Sequence, residues 1–309
     1  MNKSTPKIYR TTNWSSYNRA LSNRGNLTIW FESQTQWYTQ PKVKHGRNQT
    51  YSDTAIQCCL MIKTLFRLSL RIVTGFVQSL IKLCSLGWTA PDYSTICRRQ
   101  KHIDIQTSYE KSCNGLHLLI DSTGLKFLGE GEWKCKKHQP EYRRQCRKLH
   151  IGIDAKTLQI QAIQLTTNNF GDSQVLENLL NQIPLDEQID SVYTDGAYYT
   201  KLCRRVIADR QAYAVIPPRK NAKHWKKKVH SRERNELLRT VKRFGTTLWK
   251  KWSGYHRRNL VETKMHCIKL LGDKLMAKSF SCQMSEIHAR VAVLNKFTEL
   301  GRPHTQVVT

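Results

Sequence analysis

From about Lys111 onward the hydrophobic period of this chain changes from helical to alternating, and that change restricts the available folds more than any other feature. Leu116–Ser122 (LHLLIDS) reads as a short apolar strand. Lys148–Asp154 (KLHIGID) alternates, Asp154-Ala155-Lys156-Thr157 makes a turn, and Leu158–Thr166 (LQIQAIQLT) alternates again. An amphipathic helix is expected over Asp172–Ile183, with Val175, Leu176, Leu179, Leu180 and Ile183 on one side. A strand at Ser191–Asp195, a helix near Thr200–Asp209 and a strand at Ala212–Ile216 follow, the last ended by Pro217-Pro218. The expected order is β-β-β-α-β-α-β, with a further helix later.

Three antiparallel strands followed by βα units that extend the sheet beyond the first strand match the ribonuclease H-like fold, an α/β arrangement with a mixed sheet in the order 3-2-1-4-5 and flanking helices. Strands one and four are then parallel neighbours at the topological switch, where open α/β sheets bind ligands. Two strand-end acids fall there, Asp121 and Asp195. Neighbouring strands lie about 4.8 Å apart, so carboxylates at matched heights can share one metal ion. Hard oxygen ligands of this kind suit Mg²⁺, with Mn²⁺ as a substitute. A third acid is expected from the helix in Tyr255–Lys269 (YHRRNLVETKMHCIK). Tyr255, Arg258, Glu262 and Lys269 follow one another at steps of three, four and seven, which puts all four on one helical face. They make a poor packing stripe. They make a good face for metal and phosphate, with Glu262 completing the carboxylate set and Arg258 and Lys269 binding phosphates.

Each acid also has a plainer reading. Asp121 and Asp195 read equally as helix N-caps or turn formers, and Glu262 as an exposed partner of Arg258. Asp154 is explained by its hairpin turn, and Asp172 by the N-terminus of a helix.

Residues 1–50 mix aromatic and basic residues, with Tyr9, Trp14, Tyr17, Trp30, Phe31, Trp37 and Tyr38 among Arg10, Arg19, Arg24, Lys42, Lys44 and Arg47. The mixture suits an arm that grips phosphates and stacks on bases, or a loosely packed extension. A short helix over about Tyr17–Arg24, stopped by Gly25, is expected. Residues 51–110 are helical: Leu65, Ser69, Ile72, Val73, Phe76, Val77, Leu80, Ile81 and Cys84 recur at helical steps, Gly87 closes that helix, and Pro91 with Asp92 or Ser94 begins another that presents Arg98, Arg99 and Lys101. This is the outline of a helix-turn-helix, or equally of a helical hairpin. Residues 111–309 are expected to form the ribonuclease H-like domain, with a basic insertion at 219–254. From Arg219 to Lys251 that insertion carries thirteen Lys or Arg against Glu233 and Glu236, and Trp225, Trp249 and Trp252 are available for stacking on a displaced base.

Charge supports a polyanionic partner. Lys and Arg number 51 against 23 acids, a net of +28, and neutralising phosphates releases condensed counterions. The ten cysteines include no C-x-x-C pair, and Cys135 with His138 lacks a second ligand pair at zinc spacing, so reduced thiols are expected. The apolar stretch Leu68–Trp88 is interrupted by Arg71 and Lys82 and reads as a core helix, not a membrane span.

The Y-x2-R-x3-E-x6-K spacing around Glu262 resembles the signature of bacterial insertion-sequence DDE transposases. The D-S-T-G at Asp121 and the Y-T-D-G-A-Y-Y around Asp195 resemble that family's other two blocks, and YRTTNWSSYNRAL and PDYSTICRRQK extend the likeness over nearly the whole chain. The resemblance implies an enzyme of the bacterial cytoplasm, associated with the nucleoid. It would bind the terminal inverted repeats of its element and catalyse metal-dependent cleavage and strand transfer of double-stranded DNA, as a homo-oligomer in a synaptic complex. Two Mg²⁺ ions about 3.5–4 Å apart are expected, bridged by Asp121, with Asp195 and Glu262 each binding one. Mutual repulsion should raise the carboxylate pKa values without metal. The rivals are a phage-type integrase or nuclease with the same chemistry, a catalytically silent transposase-derived DNA-binding regulator, and an RNA-binding role, which the absence of an RNP-like aromatic motif disfavours.

Overall fold

The computed structural model describes residues 8–26, 29, 35–40, 48–105, 107, 109, 111–112, 115–127, 146–226 and 231–308. Trp30, Phe31, Lys42, Lys44, Arg47, Cys135 and His138 lie outside the described residues. The chain divides into two compact units, Met1–Ser108 with Ala289–Thr309, and Tyr109–His288.

In the first unit a strand, β1 (Ile8–Thr11), pairs antiparallel with the C-terminal strand β8 (Thr305–Val308). Helices α1 (Trp14–Arg24), α2 (Asp53–Leu65), α3 (Leu70–Leu83) and α4 (Tyr93–Arg99) follow β1. Gly25 ends α1 as its position in the sequence suggests. The helical pattern read as continuous from Leu65 is broken: Arg67, at φ 51°, turns the chain between α2 and α3. Ser52 caps α2 by accepting the Ala55 N–H, and Asp92 caps α4 by accepting that of Ser94. Ile56, Cys59, Ile62, Val73, Val77, Ile81 and Ile96 form the core of this unit. Trp37 joins it, stacked on Trp88 at 4.9 Å with its indole N–H on the Thr89 carbonyl.

The second unit is built on a mixed sheet of β2 (Leu116–Phe127), β3 (Cys146–Asp154), β4 (Ile160–Thr167), β5 (Ile189–Tyr193) and β6 (Tyr213–Val215). Its order is β4-β3-β2-β5-β6, the third, second, first, fourth and fifth strands of the unit. Pairing is antiparallel among the first three and parallel from β2 to β5 to β6, as the ribonuclease H-like fold requires. Helices α5 (Asp172–Asn181) and α6 (Lys201–Asp209) cover one face, where Leu116, Leu118, Ile120, Val175, Leu176, Leu179, Leu180, Val192 and Ile207 are buried together. Further on come α7 (Ser231–Trp252), α8 (Asn259–Leu271), a short strand β7 (Lys274–Leu275) beside the end of β2, and α9 (Phe280–Leu300), whose residues from Ala289 onward belong to the first unit. The expected turn at Asp154 is present and fully buried: its carboxylate accepts the Lys156 and Thr157 N–H groups and the Thr157 hydroxyl. Leu158, expected in the strand, belongs to that turn at φ 62°, so β4 begins at Ile160.

Among the described residues no cysteine is in a disulfide, and no helix is long and apolar enough to cross a membrane.

Gly115 leads into β2 at φ +72°, and a Cβ there would stand 2.1 Å from the Asp190 carboxylate. Gly115→Ala is therefore expected to lower stability by about 1–2 kcal/mol in chemical denaturation, and Gly115→Asn, which carries the same Cβ, to lower it as well. Equal stability of the alanine variant would show that the left-handed turn is not required.

Candidate active site

Asp121 lies within β2, not at its end. The strand runs on to Phe127 because its second half keeps pairing with β3 after β5 has stopped. In the parallel register Leu119 stands beside Tyr193, so Asp121 and Asp195 each lie two residues past the last paired positions. The carboxylates therefore start from matched heights on neighbouring strands. Alternation along β2 turns Asp121 and Thr123 toward α8 and turns Ser122 toward α5.

The signature segment is not one continuous α-helix. Gly254, left-handed at φ 66°, leads into a 3₁₀ turn over Tyr255–Arg258, and α8 begins at Asn259. Residues three apart eclipse in a 3₁₀ turn, so Tyr255 and Arg258 remain on one side. Val261, Met265 and Ile268 are buried. Beside them Arg258 reaches two carboxylates: Nη2 donates to Asp121 Oδ2 at 2.8 Å and Nη1 to Glu262 Oε1 at 3.1 Å. Lys269 Nζ donates to Thr123 Oγ1 at 2.7 Å. Tyr255 packs on Trp249 with ring centroids 5.6 Å apart.

Asp121 is 8% exposed, and burial raises its carboxyl above the usual range. The Ser122 N–H and Arg258 work against that rise, while the charges of Asp195 and Glu262 add to it. Repulsion among the acids thus contributes as expected, but desolvation is the larger cause. Asp195 accepts the Ala197 N–H at 2.9 Å, capping a 3₁₀ turn over Gly196–Tyr198. Its plainer reading as a turn former is therefore realised, alongside its place near Asp121. Tyr198 is fully buried, and its hydroxyl has no hydrogen-bond partner among the described residues. Burial, then Asp172, Asp121 and Asp195, push its phenol up.

Behind Asp121, on the α5 side of the sheet, lies a cluster that the sequence reading did not find. Lys148 Nζ stands 2.8 Å and His150 Nδ1 3.4 Å from Asp172 Oδ1. His150 is fully buried, with Nε2 3.0 Å from the Thr166 hydroxyl, and it is paired across the strands with Ser122, whose side chain bonds Asp172. Asp172 thus opens a helix, as its plainer reading had it, and is also tied to the residue after Asp121. A buried histidine alternating with a lysine on β3 was the available signal.

Arg98, Arg99 and Lys101 belong to the other unit. Arg98 and Lys101 are exposed. Arg99 is held internally, by the Tyr51 carbonyl at 2.9 Å and by Asp53. In the basic insertion, α7 contains a break at Gly245, φ 84°. Trp249 is buried and Trp252 is 60% exposed. Trp225 and Tyr199 both face the Arg234 guanidinium, at 4.1 and 4.9 Å.

The donor set of Asp121, Asp195 and Glu262 is all oxygen and suits a hard divalent ion. Among the described residues no group of three or more His, Cys, Asp or Glu stands ready to hold a metal ion. Between Asp121 and Glu262 the cation is Arg258.

Two family models, both described as Transposase DDE domain, match the chain over residues 22–130 and 113–296. The second spans more than half of its length. Among solved structures, a chain in the "CryoEM structure of simian T-cell lymphotropic virus intasome in complex with PP2A regulatory subunit B56 gamma" is similar at 16% identity, over 65% of this chain and 68% of that one, with a TM-score of 0.25. A likeness that weak carries no argument.

The cluster behind β2 has a pH signature. Burial first, and Lys148 with it, push the His150 imidazole down to about 4 against the attraction of Asp172. The unfolded chain takes up this proton near pH 6.5, the folded chain only near 4. Stability is therefore full above about 6.5 and declines as pH falls toward 4, by up to about 3 kcal/mol. Urea unfolding across this window should show the decline in the native chain and a flatter profile in His150→Gln; equal slopes would remove His150 as its source.

Proposed function

Because the chain belongs to the DDE transposases, metal-dependent enzymes that cut and rejoin DNA, we propose that it binds the terminal inverted repeats of its own element and cleaves and transfers strands at Asp121, Asp195 and Glu262. The observation that carries this reading is the Arg258 bridge, which ties Glu262 on α8 to Asp121 on β2. The matched register of Asp121 and Asp195 supports it from the strand side.

Asp121, Asp195 and Glu262 would hold two Mg²⁺ ions. Such ions, when bound, supply an activated water or 3′-hydroxyl and stabilise the leaving oxygen of a phosphodiester. The residues of the chain set the geometry. Asp121 is held by its own strand and by the Ser122 N–H on Oδ1. Asp195 is held by the turn that it caps. Lys269, whose Nζ is on Thr123, and Tyr255, at the start of the signature segment, would orient DNA phosphates. Arg98 and Lys101 of the helical unit and the basic helix α7 would contribute sequence-independent grip. Pairing of two element ends calls for an assembly of at least two copies.

Cleavage of a duplex carrying the cognate end tests the proposal. In Mg²⁺ the native chain should nick at the element boundary, and Glu262→Gln should be slower by at least about 100-fold. Excess EDTA should abolish cutting. Equal cutting by both proteins would take Glu262 out of the site. Tight binding of the end with no cutting by the native chain would favour a silent regulator.

A further inference from the structure

We infer that Arg258 is an exchangeable counter-ion: it holds Asp121 and Glu262, yields their oxygens to a divalent ion, and is thereby freed for a DNA phosphate. The inference rests on the carboxylate reading proposed above. Both oxygens of Asp121 are engaged, Oδ1 by the Ser122 N–H at 2.8 Å and Oδ2 by Arg258 Nη2 at 2.8 Å. Glu262 presents Oε1 to the other guanidinium nitrogen at 3.1 Å. An ion drawn to Asp121 Oδ2 and Glu262 Oε1 would compete with Arg258 for the two atoms that it holds. Like charges on the same oxygens repel, so ion and guanidinium exclude each other.

Lys269 does not share this position, because its ammonium is on the Thr123 hydroxyl. Arg258 is also only 15% exposed in its side chain, and its Nε is buried without a hydrogen-bond partner among the described residues. Once displaced, the guanidinium has five donors to satisfy, and a phosphate accepts two of them in a fork. Metal loading thus exposes a phosphate ligand, and a phosphate that draws Arg258 away opens the metal ligands. Linkage requires the two effects to be equal: the factor by which DNA tightens the ion is the factor by which the ion tightens DNA.

The test is Mn²⁺ binding to the full chain, followed by electron paramagnetic resonance without DNA and then with the cognate duplex in the presence of competing Ca²⁺. Without DNA, Arg258→Gln should bind Mn²⁺ about tenfold more tightly than the native chain. Lys269→Gln, which removes the same charge from the same segment but touches neither carboxylate, should change affinity by less than about threefold. The duplex should tighten Mn²⁺ more in the native chain than in Arg258→Gln. Equal gains from Arg258→Gln and Lys269→Gln, or no gain from the first, would overturn the inference while leaving the carboxylate reading intact. That reading fails separately if Asp121→Asn and Glu262→Gln bind Mn²⁺ as the native chain does. If Arg258→Gln does not fold, Arg258→Lys serves, since a lysine cannot span both carboxylates with a fork; it should show a smaller gain of the same sign.

Discussion

Two carboxylates brought together in a half-buried cleft need a cation between them, and in this chain Arg258 supplies it. The contact joins residues 137 positions apart and fixes a helix of the C-terminal part to the first strand of the sheet. Its partner on the helix, Glu262, is one turn further along, so one guanidinium sets both the depth of Asp121 and the rotation of the segment that carries Glu262. Partly buried ion pairs of this kind contribute little net stability, but removing one member leaves the other charge uncompensated. The arrangement therefore constrains geometry more than it adds stability.

The pleat of β2 divides the neighbourhood in two. On one face Asp121 and Thr123 meet Arg258 and Lys269. On the other, Ser122 meets Asp172, with Lys148 and His150 around it. A strand shifts its side chains to opposite faces at every residue, so adjacent residues of the D-S-T-G block serve different layers. Asp172 is close to the carboxylate group in electrostatic terms, as its effect on Tyr198 shows, yet its charge is matched by a lysine. The rear layer is a polar support packed behind the face that carries Asp121, and a buried neutral histidine makes that support sensitive to acid.

The large positive charge is less uniformly free than its total suggests. Arg99 holds the start of α2, Arg24 donates to carbonyls near the C-terminus, and Arg234 lies between two aromatic rings. Of the aromatics that looked suited to stacking on bases, Trp37 and Trp249 are core residues, while Trp14 and Trp252 remain exposed. Composition counts charges and rings without knowing which of them the fold uses internally.

Much of the architecture was legible from local pattern. A short apolar run marked β2, period-two alternation marked β3 and β4, a helical stripe marked α5, and proline ended β6, because burial leaves a direct trace in residue order. The signature spacing likewise marked Arg258 and Glu262 as neighbours, since a helix brings residues four apart together. What local pattern could not supply was the extension of β2 beyond Asp121, the 3₁₀ turn at Tyr255, the break at Arg67, or the grouping of Ala289–Thr309 with the N-terminal unit. It also could not pair His150 with Ser122 or assign Asp121 to Arg258. Those depend on contacts between segments far apart in the chain, and the energy that selects them comes from desolvation and charge pairing that exist only once the sheet and helix have met. The sequence alone determined which side chains were available to the site and their spacing within each segment; the tertiary structure decided which of them share a face, which are shielded from water, and which cation stands between the acids.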